Sequence, residues 1–288
     1  MKKFRYDTSG TWYKGNTHAH STLSDGGLSP QELGAMYEKA GFDFLFRTDH
    51  WISSNEPETN DPNRLLWING IEIDGPDPDG SNYHVVCLGN FTGLTREMGL
   101  KAGIESALRQ NGLIILAHPH WMGNTLDDAI KYPFHGVEVY NHVCRWSNGK
   151  SDGAFVWDSM LIQGRNVLGF ASDDTHGGNC WHGGWIVVNA KSRTVDEIMS
   201  AIRAGNYYSS CGPDFHKIEF DGQQVHVETS PVSAIRLVGP RGEGKRLGNC
   251  ENNTITHGTF EIPPNWSYAR LEIEDEPGRR AWSNTLLV

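Results

Sequence analysis

A chain of 288 residues with 38% hydrophobic and 21% charged residues has the composition of a water-soluble globular protein longer than one ordinary domain. Its formal charge of −10 argues against a broad nucleic-acid-binding face, which needs a basic stripe, and no apolar run approaches the length of a membrane span. Cys87, Cys144, Cys180, Cys211 and Cys250 form no C-x-x-C pair, and the basic start "MKKFRYDTSGTWYKG" has no apolar signal-peptide segment behind it, so reduced thiols in a cytoplasmic protein are expected.

The first chemical signal is "NTHAHSTLSDGGLSP". His18 and His20 lie at i and i+2, so a β-strand there points both to one face, a few Å apart, where they could grip one ion. "SPQELGAMYEKAG" follows as a helix with both ends marked. Ser29 caps it, Pro30 suits its first position, Glu32 completes a capping box, and Gly41 fits just past the end. "FDFLF" is a strand-like run ending in "RTDH". "LKAGIESALRQNG" reads as a helix closing on Gly112, and "LIILAHPH" as an apolar strand ending in ligand types. "GVEVYN" is a short strand, "AFVWDSMLIQG" has helical spacing, and "NVLGFASDDTH" follows. "TVDEIMSAIRAG" takes Thr194 as cap and Gly205 as stop.

Strands alternating with helices predict βα units and a mainly parallel sheet. Apolar strands buried on both faces predict a barrel or a doubly wound sheet. His50, His118, Asp174 and His176 fall at or beyond the carboxyl ends of strands, where barrel enzymes assemble their sites. From about Tyr208 the pattern turns to short alternating strands. The expected organisation is therefore a domain over 1–208 and a small antiparallel, sandwich-like β domain over 209–288, with "SSCGPD" as hinge.

Collected in order, the candidate ligands are His18, His20, Asp25, His50, Glu72, His84, His118, Asp174 and His176. Singly each has a plainer reading. His84 or His118 could be a hydrogen-bonded core histidine, and Asp25 could form a turn with Gly26 and Gly27. Jointly they fall where a βα barrel brings them to one rim. Imidazole with carboxylate suits Zn, Mn or Fe, and the absence of thiolate disfavours a closed structural zinc site.

Four motifs, "THAHSTLSDG", "TDH", "AHP" and "SDDTHG", resemble those of the PHP family, the polymerase and histidinol phosphatase metallohydrolases. The resemblance covers Asn16 to about Ser209. It is nearest to the branch of predicted metal-dependent phosphoesterases with carbamate-hydrolase-like members, and the segment "RLEIEDEPGRRAWSNTLLV" resembles the β tail of that branch more weakly. It implies a distorted (β/α)7 TIM-like barrel with a trinuclear site. By that resemblance His18, His20, Glu72 and Asp174 hold one ion, Glu72, His84 and His118 a second with Glu72 bridging, and Asp25, His50 and His176 a third. Asp173 is the alternative to Asp174, and Asp49 is expected to orient a ligand histidine.

The function so implied is hydrolysis of a small phosphate ester by hydroxide that the ions activate. The same metals also permit carbamate, ester or amide hydrolysis, or 5′–3′ exonuclease action on short nucleic acid. About three divalent transition ions per chain (Mn, Zn or Fe) are the expected cofactors. The expected partner is a small phosphorylated or aryl-ester substrate, with no membrane. A sequence of this kind does not disclose the oligomeric state. His120, two residues past His118, is a candidate proton donor. Arg47 either reaches a substrate phosphate or pairs with a buried carboxylate, and Arg145 and Lys150 are further cations near the rim. Trp51, Trp121, Trp146 and Trp181 either pack or line the rim for a flat leaving group.

Overall fold

The computed structural model describes residues 3–55, 64–248 and 254–288, so Cys250 lies outside the described residues. Strand β1 (Thr11–Asn16) leads through the histidine-rich segment to α1 (Pro30–Lys39). Ser29 caps that helix as its sequence predicts: its hydroxyl accepts from the Glu32 amide, and the Glu32 carboxylate accepts from the Ser29 amide. Then come β2 (Phe44–Arg47), β3 (Leu66–Pro76), β4 (Asn82–Leu88), α2 (Gly99–Arg109) and β5 (Leu113–Leu116). Two short helices, α3 (Pro119–Met122) and α4 (Leu126–Lys131), precede β6 (Gly136–Asn141). α5 (His142–Asn148) and α6 (Ala154–Ile162) lead to β7 (Leu168–Ser172), β8 (Trp185–Ala190), α7 (Val195–Ala204) and β9 (Tyr207–Ser210). Thr194 caps α7, as expected.

Beyond β9 the described elements are all strands: β10 (Phe215–Phe220), β11 (Gln224–Val232), β12 (Ala234–Val238), β13 (Gly244–Leu247), β14 (Ile255–Glu261), β15 (Arg270–Glu274) and β16 (Arg280–Ser283). The protein is thus a mixed α/β structure. A thirteen-stranded sheet runs β13-β12-β15-β16-β9-β8-β1-β2-β3-β4-β5-β6-β7, and β10-β11-β14 form a small antiparallel one. Among the described residues no helix is long and apolar enough to cross a membrane.

The expectation of a mainly parallel sheet needs correction. β1-β2-β3 and β5-β6-β7 are parallel runs, but β3-β4 and β4-β5 pair antiparallel, as do β1-β8 and β8-β9. The reason is local. Only residues 77–81 join β3 to β4, closed by the Asp77 amide donating to the Ser81 carbonyl, and so short a link cannot carry a crossover helix. The C-terminal strands also continue the large sheet, because β16 pairs with β9. Position 208/209 therefore falls inside a strand, and one apolar cluster joins Leu33, Tyr37 and Phe42 to Phe215, Ile235 and Leu271.

Strand alternation sets the site on top of a core. Along β3, Leu66 and Ile68 point into one apolar cluster, and Glu72 continues that face; along β4, Leu88 and Val86 do so, and His84 continues it. Ile71, Ile73, Val85 and Cys87 take the other face, against Ile104 and Ala107 of α2. The C-terminal strands are tied to the helical layer by Arg270, which is 2% exposed. Its Nε and Nη2 each donate to the Asp158 carboxylate of α6 at 2.9 Å, and Nη1 donates to Glu272 at 3.1 Å. Removing one partner of a buried ion pair strands the other. Arg270→Ala should lower stability by about 3–5 kcal/mol, read as a lower urea midpoint; an unchanged midpoint would discount this tie.

Candidate metal centre

The histidine-rich segment extends β1 past its last ladder residue. The His20 amide donates to the Thr175 carbonyl, the Asp174 amide donates to the His18 carbonyl, and Ala19 and Thr175 form a parallel bridge. This lacing brings "THAH" beside "SDDTH". His18 Nε2 and His20 Nε2 then lie 3.0 Å apart, each 3.0–3.1 Å from Glu72 Oε2 and 3.1 Å from Asp174 Oδ1. All four side chains are buried.

The chemistry of these atoms suits a bound cation. Glu138 Oε1 accepts at 2.8 Å from His18 Nδ1, and it has no proton of its own to offer while ionised. A neutral His18 therefore carries its proton on Nδ1, and its Nε2 is an acceptor facing two carboxylate oxygens and another imidazole nitrogen. Acceptors so close repel unless protons or a metal ion lie among them. Edges of 3.0–3.1 Å are also near what four ligands ~2.0–2.1 Å from one ion would set. Nitrogen and carboxylate donors without thiolate fit Zn, Mn or Fe.

Further donors surround this knot. His84 Nδ1 is 2.9 Å from Glu72 Oε1, and His118 Nε2 is 3.6 Å from the same oxygen. His50 Nε2 stands 3.5 Å from Glu72 Oε2 and 3.7 Å from Asp25 Oδ2, and His176 Nε2 stands 3.3 Å from Asp25 Oδ2. Three sets could each hold an ion: His18, His20, Glu72 and Asp174; His50, Glu72 and His84; and His20, Asp25, His50 and His176. All nine residues singled out in the sequence meet at this rim. The tightest second set takes His50 in place of His118, and His20 joins the third.

Local structure explains the placement. Gly26 lies against the His20 backbone, where a Cβ would come within 2.5 Å of the His20 carbonyl oxygen, and the Gly27 amide donates to His176. The pair of glycines thus folds Asp25 onto the histidines. Trp51, His118 and Asp174 all have positive φ (56°, 27° and 54°), a backbone that side chains seldom adopt. Strain at three strand ends around one site is the pattern of a functional rim.

Several expectations resolve differently. Asp173 turns away, accepting from Tyr37 Oη and the amides of His182, Gly183 and Gly184, which leaves Asp174 in the cluster. Asp49 orients no ligand histidine; it accepts from Ser21, Ser24 and Arg47. Arg47 is buried in that pair with Asp49 and does not line the cavity. His120 is exposed and outside the cavity wall. Trp51 packs with its indole N–H on the Asp74 carbonyl, and Trp146 and Lys150 are exposed. Trp121 stands at the mouth, edge-on to His84 and His118.

The carboxylates that hold the histidines are Glu138 and Asp74, which sequence reasoning did not single out. Glu138 takes His18 Nδ1, the His118 amide, Ser172 Oγ and Asn141 Nδ2. Asp74 takes His50 Nδ1 at 2.9 Å and is itself clamped by the Arg96 guanidinium. The signals were a lone glutamate in the apolar strand "GVEVYN" and an aspartate two residues past Glu72, hence on the same face.

Charge follows from the crowding. Burial alone would raise Glu72, but His18 and His84 hold it well below the usual carboxylate range, and His18 and His20 do the same for Asp174. Burial would lower His20, but Asp174 and Glu72 outweigh it and raise the imidazole to about 9. The cavity above these groups has a volume of about 360 Å³, walled on its far side by Trp121, Val143, Cys144 and Ser147.

No family model and no curated protein matches this chain. Among solved structures, a two-domain protein from Bacteroides vulgatus containing a predicted PHP-like metal-dependent phosphoesterase matches at 15% identity with a TM-score of 0.56. The match covers 99% of this chain and 98% of that one. This chain has the PHP-like fold. Two further structures match over part of it: a putative metal-dependent phosphoesterase from Bifidobacterium adolescentis (15% identity, TM-score 0.39, 57% of this chain and 87% of that one), and the lesion-specific endonuclease EndoQ from Pyrococcus furiosus (14% identity, TM-score 0.42, 67% and 56%).

For this PHP-like chain two outcomes follow. Glu138→Gln, which keeps the volume but exchanges an acceptor oxygen for a donor, should weaken metal affinity about 10–100-fold; competition with a calibrated chelator measures it, and an unchanged affinity would remove Glu138 from the support of His18. Because His20 titrates near 9, it holds a proton at pH 7 that an ion must displace. Zinc loading should therefore release protons at pH 7 and weaken as pH falls; calorimetry in two buffers of different ionisation enthalpy would read equal heats if it did not.

Proposed function

We propose that this protein is a metal-dependent hydrolase that cleaves a small phosphate ester. The observation that carries the reading is the buried meeting of His18, His20, Glu72 and Asp174, in which the two imidazole nitrogens lie 3.0 Å apart and each within 3.0–3.1 Å of both carboxylates. In this reading those four residues hold one ion, Glu72 with His84 and His118 or His50 a second, and Asp25, His50 and His176 a third. Divalent ions, when bound, lower the pKa of water toward neutrality and stabilise negative charge on a phosphoryl oxygen. Glu138 and Asp74 keep the imidazoles aimed inward, and Trp121 shields the mouth from solvent. The sheet is read as a distorted seven-stranded barrel, supported by the Ala19–Thr175 bridge, which links the rim ends of β1 and β7 and so closes the run β1 to β7. The four cysteines among the described residues are free, which fits a cytoplasmic setting.

One observation favours a second reading, hydrolysis of an aryl carbamate or ester. Among the described residues no arginine or lysine lines the cavity, and Trp121, Val143 and Cys144 offer an apolar slot opposite the acidic and imidazole groups. Phosphate charge would then be met by the ions alone.

Hydrolysis of nucleotides, sugar phosphates, aryl phosphates and aryl carbamates, assayed with added Mn, Zn or Fe, separates the two. Turnover of phosphates is expected, and turnover of carbamates alone would transfer the assignment. His18→Ala and Glu72→Ala should each abolish it while the circular dichroism spectrum stays native; retained turnover in either would take that residue out of the chemistry.

A further inference from the structure

A second cavity of about 360 Å³ lies behind α5 and shares no lining residue with the first. The helix serves both: Val143, Cys144 and Ser147 face the metal centre, while His142 and Arg145 face this second space. The turn between β15 and β16 closes it, so the C-terminal strands complete the cavity.

Its charge runs against that of the chain. Arg145, Arg279 and Arg280 line it against one carboxylate, Asp152, in a protein of formal charge −10. Asp275 holds Arg279 at 2.8 Å. Arg280 reaches Asp152 only at 3.3 Å and Glu272 at 3.9 Å. Arg145 meets no carboxylate among the described residues, and its guanidinium lies 5.8 Å from the centre of the Trp146 ring.

A hydrogen-bond chain turns one more donor toward a ligand. The Trp146 indole N–H can only donate, and it reaches His142 Nε2 at 3.1 Å. Burial keeps the His142 imidazole below its ordinary pKa, so the neutral ring bears its proton on Nδ1. Nδ1 then donates to Tyr140 Oη at 3.1 Å, and the Tyr140 hydroxyl proton is left to donate elsewhere. Gly183 packs directly on this ring, so closely that a Cβ there would lie 2.0 Å from it. Tyr140 is itself stacked on Trp282, centroids 6.2 Å apart.

We propose that this cavity is an anion site in which Arg145, Arg280 and the Tyr140 hydroxyl hold the phosphate or carboxylate of a small molecule. Guanidinium groups suit either oxyanion, since both accept paired N–H donors. The test uses the full-length, zinc-loaded protein with ¹⁵N-labelled arginine, titrated separately with inorganic phosphate and with acetate. The Nε–H signals of Arg145 and Arg280, identified with Arg145→Lys and Arg280→Lys, should shift saturably with at least one anion. Phosphate alone assigns the site to phosphates, acetate alone to carboxylates, and both to either. Arg145→Ala, a change at an exposed side chain, should weaken the response at Arg280 at least five-fold. No shift with either anion, or a smaller weakening, overturns the proposal. The signals report this cavity directly, so the outcome does not depend on what the metal centre hydrolyses.

Discussion

The structure turns on one electrostatic conflict: carboxylate oxygens and imidazole acceptors buried together at contact distance. Glu72 is at its centre, with Oε2 against His18 and His20 and Oε1 against His84. Burial opposes charge on such a carboxylate, and cations and hydrogen-bond donors beside it hold it ionised. Protons on the histidines fill that role in the metal-free chain, and metal ions fill it better, since each gathers several acceptors at once. The surrounding chain is built to maintain the conflict. Glu138 and Asp74 fix the imidazoles, Asp173 anchors the loop over 182–184, and residues with positive φ bend three strand ends toward the same point.

That arrangement also explains what the fold must provide. Glu72 and His84 continue strand faces whose other residues fill the core, so the site is anchored by the same side chains that stabilise the sheet. The lacing of His18 to Asp174 through backbone hydrogen bonds makes the distance between the two motifs a property of strand pairing. The α5 helix divides an acidic, imidazole-rich cavity from an arginine-rich one.

What the sequence disclosed was whatever short-range spacing encodes. The i, i+2 histidines, the Ser29–Glu32 capping box and the Thr194 cap depend on neighbours in the chain, and the structure uses each as written. Seven of the nine candidate ligands were legible because they cluster in four short motifs, whereas Glu72 and His84 lie outside them. Glu138 was not legible, since a lone acid in an apolar strand finds its partner 120 residues away. Asp49 was misjudged for a similar reason: its neighbour Arg47 and the remote Ser21 satisfy it first. The β16–β9 pairing likewise joins segments some seventy residues apart, which strand alternation alone does not disclose.

The most direct test is anomalous diffraction from crystals grown with manganese or zinc. The account predicts a strong peak enclosed by His18, His20, Glu72 and Asp174, with further density beside His84 and beside Asp25. Crystals that bind the ion elsewhere, or leave that enclosure without anomalous signal at saturating metal, would contradict it.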